Sequence, residues 1–220
     1  MNITYDMIRN SQEIRTYITQ ADRSLMALGF TEHSFAHVSR CAEVASGILD
    51  QLGYDSHQQE LSRIAGFMHD IGNVVNRHGH AQTGAVMAFR ILDRMGMEPP
   101  DLAAVITAIG HHDEPTAFPV NPVAAALILA DKTDVRRSRV RNKDPQSFDI
   151  HDRVNYAAEH SALDLDTAAH TITLTLTINT EVCAVMDYFE IFLERMLLCR
   201  RAAEHLSLRF KLEINGSTLL

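Results

Sequence analysis

Seven side chains that can bind metal ions recur in order through the middle of the chain. They are His37, the pair His69 and Asp70, His80, the pair His111 and His112, and Asp131. Imidazole and carboxylate together suit borderline or hard divalent ions, so a fold that uses the whole series must bring these segments together. A series that ends in a lone aspartate suits two divalent ions bridged by a carboxylate, which points to metal-assisted hydrolysis.

Composition limits the classes of protein and partner. The chain has 220 residues, of which 46% are hydrophobic, so it can bury the core of one domain, with or without a small appendage. Its formal charge of -8 repels extended nucleic acid. A small phosphorylated substrate stays compatible with this charge, because bound divalent cations reverse the local potential.

The ends and cysteines of the chain indicate a cytoplasmic protein without disulfides. The start, MNITYDMIRN, lacks a basic region followed by an apolar run, and no segment approaches the length of a membrane helix. Cys41, Cys183 and Cys199 are odd in number and widely separated, so we expect buried free thiols.

Apolar periodicity predicts that helices dominate the first two thirds of the chain. The predicted helices cover 5–28, 31–52, 57–69, 80–95, 102–110 and a segment from 123 through Asp131 toward Arg139. A proline-containing loop at 115–122 precedes the last of these. All seven candidate ligands thus lie on, or at the ends of, five consecutive helices.

The pattern changes near residue 145. Alternating apolar residues predict strands around Leu163 and Leu165, over 172–178 and over 208–214, with one long helix over 181–204 between the last two. The fold class is therefore mainly α: a helical domain over 1–145, followed by a small α+β appendage over 146–220 with about three strands. A homodimer is the default oligomer.

Ordinary structural roles compete with the metal hypothesis at each position. A His-Asp or His-His pair arises often by chance, and a polar helix end explains either pair. Asp131 is stronger evidence for a metal site, because it interrupts the apolar run ALILADKTD, where an unpaired carboxylate carries a large desolvation cost. The joint arrangement therefore favours a metal site over isolated polar residues.

The ordered motifs resemble the HD-domain phosphohydrolase superfamily. The matching segments are HVSRCA from His37, MHDIG with His69 and Asp70, HAQTG from His80, GHHDE with His111 and His112, and ADKTD with Asp131. They cover roughly residues 31–140 and are most similar to the HD-GYP branch, which has an expanded set of metal ligands. The resemblance implies an HD-domain helical bundle.

The resemblance also implies a set of ligands. His37, His69, Asp70 and Asp131 would bind one divalent ion, and His80, His111 and His112 a second that shares Asp70. His69 and Asp70 would then be catalytic, and the ions would be Mn, Fe, Zn or Mg. His33, one turn before His37, stands where some HD-GYP proteins have an acidic ligand and is either a further ligand or a surface histidine.

Two departures from the HD-GYP pattern weaken the prediction of a cyclic dinucleotide substrate. The GYP element is absent after the histidine pair, where this chain reads HHDEPTAFPVNP, and Asn73 replaces the lysine of HDIGK. Lys132 and Arg136, in a basic run after Asp131, are candidates for binding a substrate phosphate. A solvated helix face explains most of that run equally well. Glu114 and Asp134 are candidates for orienting ligand histidines.

These features together predict a metal-dependent phosphohydrolase. A hydroxide bridging the two ions would attack the phosphorus of a phosphomonoester, nucleotide or phosphodiester, and a nucleotide is the favoured substrate. Two alternatives remain open at this point. One is a metal-occupied nucleotide-binding or sensor module without turnover, and the other is a di-iron oxygenase of the HD-domain type.

Overall fold

The protein is a helical bundle that carries a small sheet near its C-terminus, as seen in a computed structural model that describes residues 3–114 and 116–219. Its helices are α1 (Tyr5–Asn10), α2 (Gln12–Ala27), α3 (Phe35–Gln51), α4 (Ser56–Met68), α5 (His80–Met95), α6 (Pro99–Gly110), α7 (Pro122–Lys132), α8 (Ile150–Ala157) and α9 (Val185–His205). Short 3-10 turns occupy Ile71–Val74, Arg137–Arg139 and Pro145–Ser147. The predicted fold class, mainly α with a small α+β segment, is confirmed.

Several helix ends differ from the predicted bounds because polar side chains cap them. Ser11 accepts a hydrogen bond from the Ile14 amide and divides the first predicted helix into α1 and α2. Ser34 caps α3, so His33 lies before that helix rather than on its face. Helix α7 ends at Lys132, and Arg136 does not continue it. Pro115, at the start of the predicted loop, lies outside the described residues.

The sheet contains strands β1 (Ala158–Asp166), β2 (Thr171–Ile178), β3 (Arg209–Ile214) and β4 (Ser217–Thr218), in that spatial order. Strands β1 and β2 form an antiparallel hairpin, whereas β2 and β3 run parallel and are joined through α9. Ile172, Leu174 and Leu176 on β2 are buried, as the alternating pattern predicts. The two-residue β4 was too short to be predicted.

Two clusters of buried apolar side chains hold the elements together. One lies among α1 to α7, while the other joins α3 and α7 to the sheet and α9. Leu129 of α7 and Cys199 of α9 belong to this second cluster, which therefore contains residues from both sides of position 145. Helix α9 thereby comes to lie beside α7, the helix that carries Asp131.

Within the described residues, no helix combines the length and the apolar character that crossing a bilayer requires.

Candidate metal centre

Two glycines let the turn after α4 approach the start of α5. A Cβ atom on Gly72 would lie 2.0 Å from the His80 carbonyl oxygen, and one on Gly84 would lie 3.2 Å from the His69 carbonyl oxygen. No side chain fits at Gly72. This contact places the His69 and Asp70 pair, at the end of α4, against His80, the first residue of α5.

Three buried histidines are oriented by a carbonyl group three residues earlier in the chain. The Nδ1 atoms of His69, His80 and His112 lie 2.8, 3.0 and 2.6 Å from the carbonyl oxygens of Gly66, Arg77 and Ile109. A carbonyl oxygen can only accept, so each Nδ1 carries the proton and donates it. Each Nε2 therefore presents a lone pair, the form in which imidazole binds a metal.

His37 is oriented by a side chain from the far end of the domain. Its Nδ1 donates to Asp134 Oδ2 at 2.8 Å. Asp134 is fully buried, and its second oxygen accepts from Arg136 Nε at 2.6 Å. Hydrogen bonds from His37 and Arg136 outweigh burial and hold the pKa of Asp134 well below its usual value. A carboxylate behind an imidazole is a common partner of a metal-binding histidine, as predicted for Asp134.

The inward nitrogens converge on the two oxygens of Asp70. Oδ2 lies 3.3 Å from His69 Nε2 and 3.6 Å from His37 Nε2, whereas Oδ1 lies 3.5 Å from His80 Nε2. Asp131 Oδ1 completes the first group, at 3.3 Å from His37 Nε2 and 3.7 Å from His69 Nε2. Asp70 thus faces one histidine group with each oxygen.

The second group brings two lone pairs together. The Nε2 atoms of His80 and His112 are 3.2 Å apart, although both rings carry their proton on Nδ1. Burial lowers the pKa of His112 far below its usual value and lowers that of His80, so both rings are neutral near pH 7. Two neutral acceptors in contact repel each other unless a cation lies between them.

Two buried polar atoms at the centre support a metal directly. His69 Nε2 and Asp70 Oδ2 are buried and have no hydrogen-bond partner within the described ranges. Such atoms carry a full desolvation penalty when nothing binds them. The donor set contains imidazole and carboxylate groups, which suit Zn, Fe and Mn. The residues present therefore fit a divalent metal site.

The charges of the centre also favour cations. Burial opposes ionisation of Asp70 and Asp131, but positive charge at His69, carried by a proton or by a metal ion at its Nε2, and Lys132 beside Asp131 outweigh burial and hold both pKa values well below the usual range. Both carboxylates are thus ionised near pH 7. Two groups of potential ligand atoms are compact: those of His37, Cys41, His69 and Asp131 lie within 4.8 Å of one another, as do those of His69, Asp70 and His112.

The segment that carries these side chains matches a known family. The family model described as HD domain matches residues 34–136, the segment that contains His37, His69, Asp70, His80, His112 and Asp131. Residues 34–136 form an HD domain. The prediction of that superfamily is confirmed, whereas the closer likeness to its HD-GYP branch stays a prediction.

The chain is similar to two known proteins, one in sequence and one in structure. Over 124 residues, which are 54% of this chain, the sequence is 30% identical to ribonuclease Y from Deinococcus radiodurans. The chain spans only 20% of the length of that ribonuclease. A crystal structure described as a predicted HD superfamily hydrolase, from an uncultured Thermotogales bacterium, has 26% identity, a TM-score of 0.45, and coverage of 62% of this chain and 75% of the other.

Two predicted ligands of the HD domain occupy different surroundings. His33 is half-buried at the mouth of the centre, with its Nδ1 2.7 Å from the Thr31 carbonyl oxygen and its ring 5.5 Å from that of His37. His111 instead lines an apolar groove with Val86 and Phe89, between α5 and α6. Because His111 and His112 are adjacent at a helix end, they point in different directions.

Cys41 lies beside the first histidine group and was predicted simply as a buried thiol. Its Sγ is 3.7 Å from both ring nitrogens of His37. Burial and the nearby carboxylate of Asp131 raise the pKa of this thiol well above its usual value. The thiol is therefore protonated near pH 7 and packs against the His37 ring.

A chain of ion pairs extends from the HD domain to the C-terminal segment. Lys132 Nζ lies 2.7 Å from Asp131 Oδ2 and 3.2 Å from Glu114 Oε2, and Arg195 Nε on α9 lies 2.7 Å from Glu114 Oε1. Burial opposes the ionisation of Glu114, but Lys132 and Arg195 outweigh it and lower its pKa to about 2. Glu114 thus orients two cations rather than a ligand histidine.

Cations from four parts of the chain surround the mouth of the centre. They are Arg77, Lys132, Arg139 and Arg195, and the mouth also includes His33. Arg195 was not predicted, because nothing in the sequence of α9 indicates that its position meets the HD domain. Arg136 was predicted to bind substrate, but the structure pairs it with Asp134 at 2.6 Å and Glu32 at 3.6 Å.

Asn73 has a structural partner in the place where a lysine is usual in HD-GYP proteins. Its Nδ2 donates to Asp70 Oδ1 at 2.8 Å, and its Oδ1 accepts from Arg77 at 3.4 Å. Arg77 also approaches His80 Nε2, at 3.3 Å. Asn73 therefore helps to orient Asp70, while Arg77 brings a positive charge close to the second histidine group.

Proposed function

We propose that the protein is a metal-dependent phosphohydrolase with a binuclear centre bridged by Asp70. One observation carries the proposal: four buried imidazoles direct their Nδ1 hydrogens outward and their Nε2 lone pairs inward, around the two oxygens of Asp70. Hydrogen bonding of this kind preorganises metal ligands. A purely structural cluster would satisfy these lone pairs with hydrogen-bond donors, whereas among the described residues only His80 Nε2 meets a nitrogen donor from outside the centre, Arg77 at 3.3 Å.

The residues divide into two sets of ligands. His37, His69, Asp131 and Asp70 Oδ2 would hold one ion, while His80, His112 and Asp70 Oδ1 would hold the other. Two divalent ions bound there would supply an activated water and neutralise charge that develops on a phosphoryl group. His111, which faces the groove between α5 and α6, is not needed for either set.

The cations at the mouth support a phosphorylated substrate. Lys132 is buried at 5% exposure, and its ion pairs with Asp131 and Glu114 raise its pKa despite burial, so it stays charged. Arg77, Arg139 and Arg195 offer planar guanidinium groups that match phosphate oxygens. These groups would bind and orient a phosphoryl group beside the metal ligands.

A small substrate, such as a nucleotide, fits the electrostatics better than extended nucleic acid. The whole chain carries a formal charge of -8, which disfavours the long-range attraction of a polyanion. The positive charge is concentrated instead at the mouth. We therefore propose that the substrate is a small phosphoric ester, although the similar protein from Deinococcus radiodurans is named a ribonuclease.

Substitution of Asp70 tests the proposal. We expect Asp70→Ala to lower phosphate release from p-nitrophenyl phosphate and nucleoside monophosphates by about a thousandfold or more, because it removes a ligand of both ions. Elemental analysis should show two ions per wild-type chain and fewer in the variant. A chelator should abolish wild-type turnover, and added Mn²⁺ should restore it.

Asp164→Ala, an exposed carboxylate on β1, is the matched control and should retain wild-type activity and metal content. Wild-type activity in Asp70→Ala, or a single ion per wild-type chain, would contradict the binuclear mechanism.

A further inference from the structure

A recess of about 230 Å³ opens directly outside the mouth of the metal centre. It shares His33, Arg77, Arg139 and Arg195 with the mouth. Its walls come from the loop before α3, from α8 and from α9. Most of the residues that line this recess thus lie outside the HD domain match at 34–136.

The lining of the recess carries charges of both signs. Three arginines lie at the end that joins the mouth, while Asp149, Asp152 and Asn155 of the α8 region lie among the other lining residues. Arg77 packs over the Phe30 ring at 5.7 Å, and Arg195 packs over the Phe192 ring at 4.7 Å. These aromatic contacts restrain the guanidinium groups where the recess joins the mouth.

Asp152 is a nearly buried carboxylate with weak protein contacts. It is 9% exposed, and its carboxylate accepts one long hydrogen bond, from Asn142 Nδ2 at 3.4 Å. No Lys or Arg of the described ranges forms a salt bridge with it. Burial and the neighbouring Asp149 raise its pKa. Asp152 lines the recess, so its carboxylate is placed to accept hydrogen bonds from a ligand there.

Asn155, one turn further along α8, presents a second acceptor. It is 6% exposed, and its Nδ2 donates to the His151 carbonyl oxygen at 2.9 Å. This bond fixes the amide, and no donor among the residues that the structure describes hydrogen-bonds to Oδ1. Asp152 and Asn155 together therefore offer acceptors, and a ligand that satisfies them must carry hydrogen-bond donors.

We propose that this recess binds the non-phosphate part of a monomeric phosphoric ester through hydroxyl groups, such as those of a sugar or nucleoside. The inference rests on the proposed function, and it assigns Asp152 and Asn155 as specificity-determining residues. The charges of both signs orient such a molecule with its phosphate at the arginines and its hydroxyls at α8.

The test compares two phosphomonoesters that differ in their tails: ribose 5-phosphate, which carries hydroxyls, and p-nitrophenyl phosphate, which has none. We expect the wild-type protein to have the higher kcat/KM for ribose 5-phosphate. In Asp152→Ala and in Asn155→Ala, the ratio of the two kcat/KM values should fall by about tenfold or more, since hydrogen bonds to the hydroxyls are lost. Asp164→Ala, outside the recess, should leave that ratio unchanged.

If the ratio of the two kcat/KM values is unchanged in both α8 variants, as it would be after an equal loss for both substrates, the inference is overturned. Failure of the proposed function is recognised separately, as the absence of turnover for both substrates in wild-type protein loaded with Mn²⁺. In that case the affinity of each protein for ribose 5-phosphate is measured by calorimetry. An affinity of Asp152→Ala at least about tenfold weaker than that of the wild type supports binding in the recess. Equal affinities, or no binding by the wild type, overturn the inference.

Discussion

The candidate metal ligands and the recess beside them are held in place by different kinds of contact. Three of the four inward-facing imidazoles are oriented by a carbonyl group only three residues away in the chain. The recess instead draws Arg77, Arg139, Asp152 and Arg195 from distant segments. The ligand geometry is thus largely a local property of the helix ends, whereas the shape of the recess depends on how the C-terminal segment packs.

Glu114 connects these two regions. It pairs with Lys132 beside the metal ligands and with Arg195 on α9. A change in the HD domain that moves Glu114 would therefore disturb both regions, while a change in α8 would disturb the recess alone. This difference predicts that substitutions near the ligands affect metal binding and those in the recess affect substrate preference.

The largest effect on stability and metal binding is expected at Gly72, where the turn after α4 contacts α5 too closely to admit a side chain. Gly72→Ala would place a Cβ atom 2.0 Å from the His80 carbonyl oxygen, so the turn after α4 must move away from α5. We expect a loss of roughly 3 kcal/mol or more in the free energy of unfolding, together with impaired metal binding. Denaturant unfolding and metal titration measure both.

Gly47→Ala in α3 is the matched control, because nothing lies within 4 Å of its added Cβ. It should stabilise the protein by about 0.5–1 kcal/mol through helix propensity. A Gly72→Ala protein as stable as wild type would contradict the close contact between the turn and α5.

His37, unlike the other three imidazoles, is oriented by a residue that is distant in the sequence. Asp134→Asn tests the importance of this contact. The substitution weakens the acceptor for His37 Nδ1, which is 97 residues away in sequence. We expect metal affinity to fall by about tenfold to a hundredfold, as is typical for the hydrogen-bond partner of a ligand histidine. Arg40→Ala removes another partner of Asp134, at 3.2 Å, without touching His37, and should change affinity far less. Equal effects would assign Asp134 a purely structural role.

Arg195→Ala examines what α9 contributes to the phosphate end of the recess. We expect KM for p-nitrophenyl phosphate to rise by about tenfold, because one charge-assisted hydrogen bond to the phosphate is lost. Metal content should stay at the wild-type value. Arg200→Ala, on the exposed face of the same helix, should leave KM unchanged. A loss of metal from Arg195→Ala would show that the two regions are not separable in this way.

The smallest effect is on stability and comes from Asp152. Its pKa is raised in the folded protein, so the charged form destabilises the fold above that pKa, and the cost disappears below the usual value of 3.8. Asp152→Asn should therefore unfold at a slightly higher temperature than wild type at pH 7. The difference should shrink as pH falls toward 4. A lower Tm at pH 7 would indicate that Asp152 stabilises the fold.

Much of the fold could be predicted because its signals are local. The spacing of apolar residues located most of the helices and three of the four strands, and the motif order indicated the HD domain. Helix ends were less predictable, since Ser11 and Ser34 each cap a helix inside a segment that reads as continuous. The division into 1–145 and 146–220, the cytoplasmic location and the homodimer stay predictions.

The candidate site was predictable to the extent that residue type implies chemistry. Five residues of the ordered series meet around a sixth, Asp70, but residue type could not distinguish His112 from His111, because the direction of a side chain at a helix end depends on the backbone. The same holds for Arg136, which reads as a free cation and yet pairs with the buried Asp134. Ligand assignments for this centre remain predictions until metal is measured.

The sequence by itself determined that a carboxylate and several imidazoles lie at successive helix ends, because helix periodicity and capping act over a few residues. Tertiary structure alone decided which residues surround the substrate. Arg195 reaches the mouth because α9 packs on α7, and Asp152 faces the recess because α8 lies near the loop before α3. Such placements depend on burial of apolar surface between distant segments, a property of the whole chain rather than of any motif.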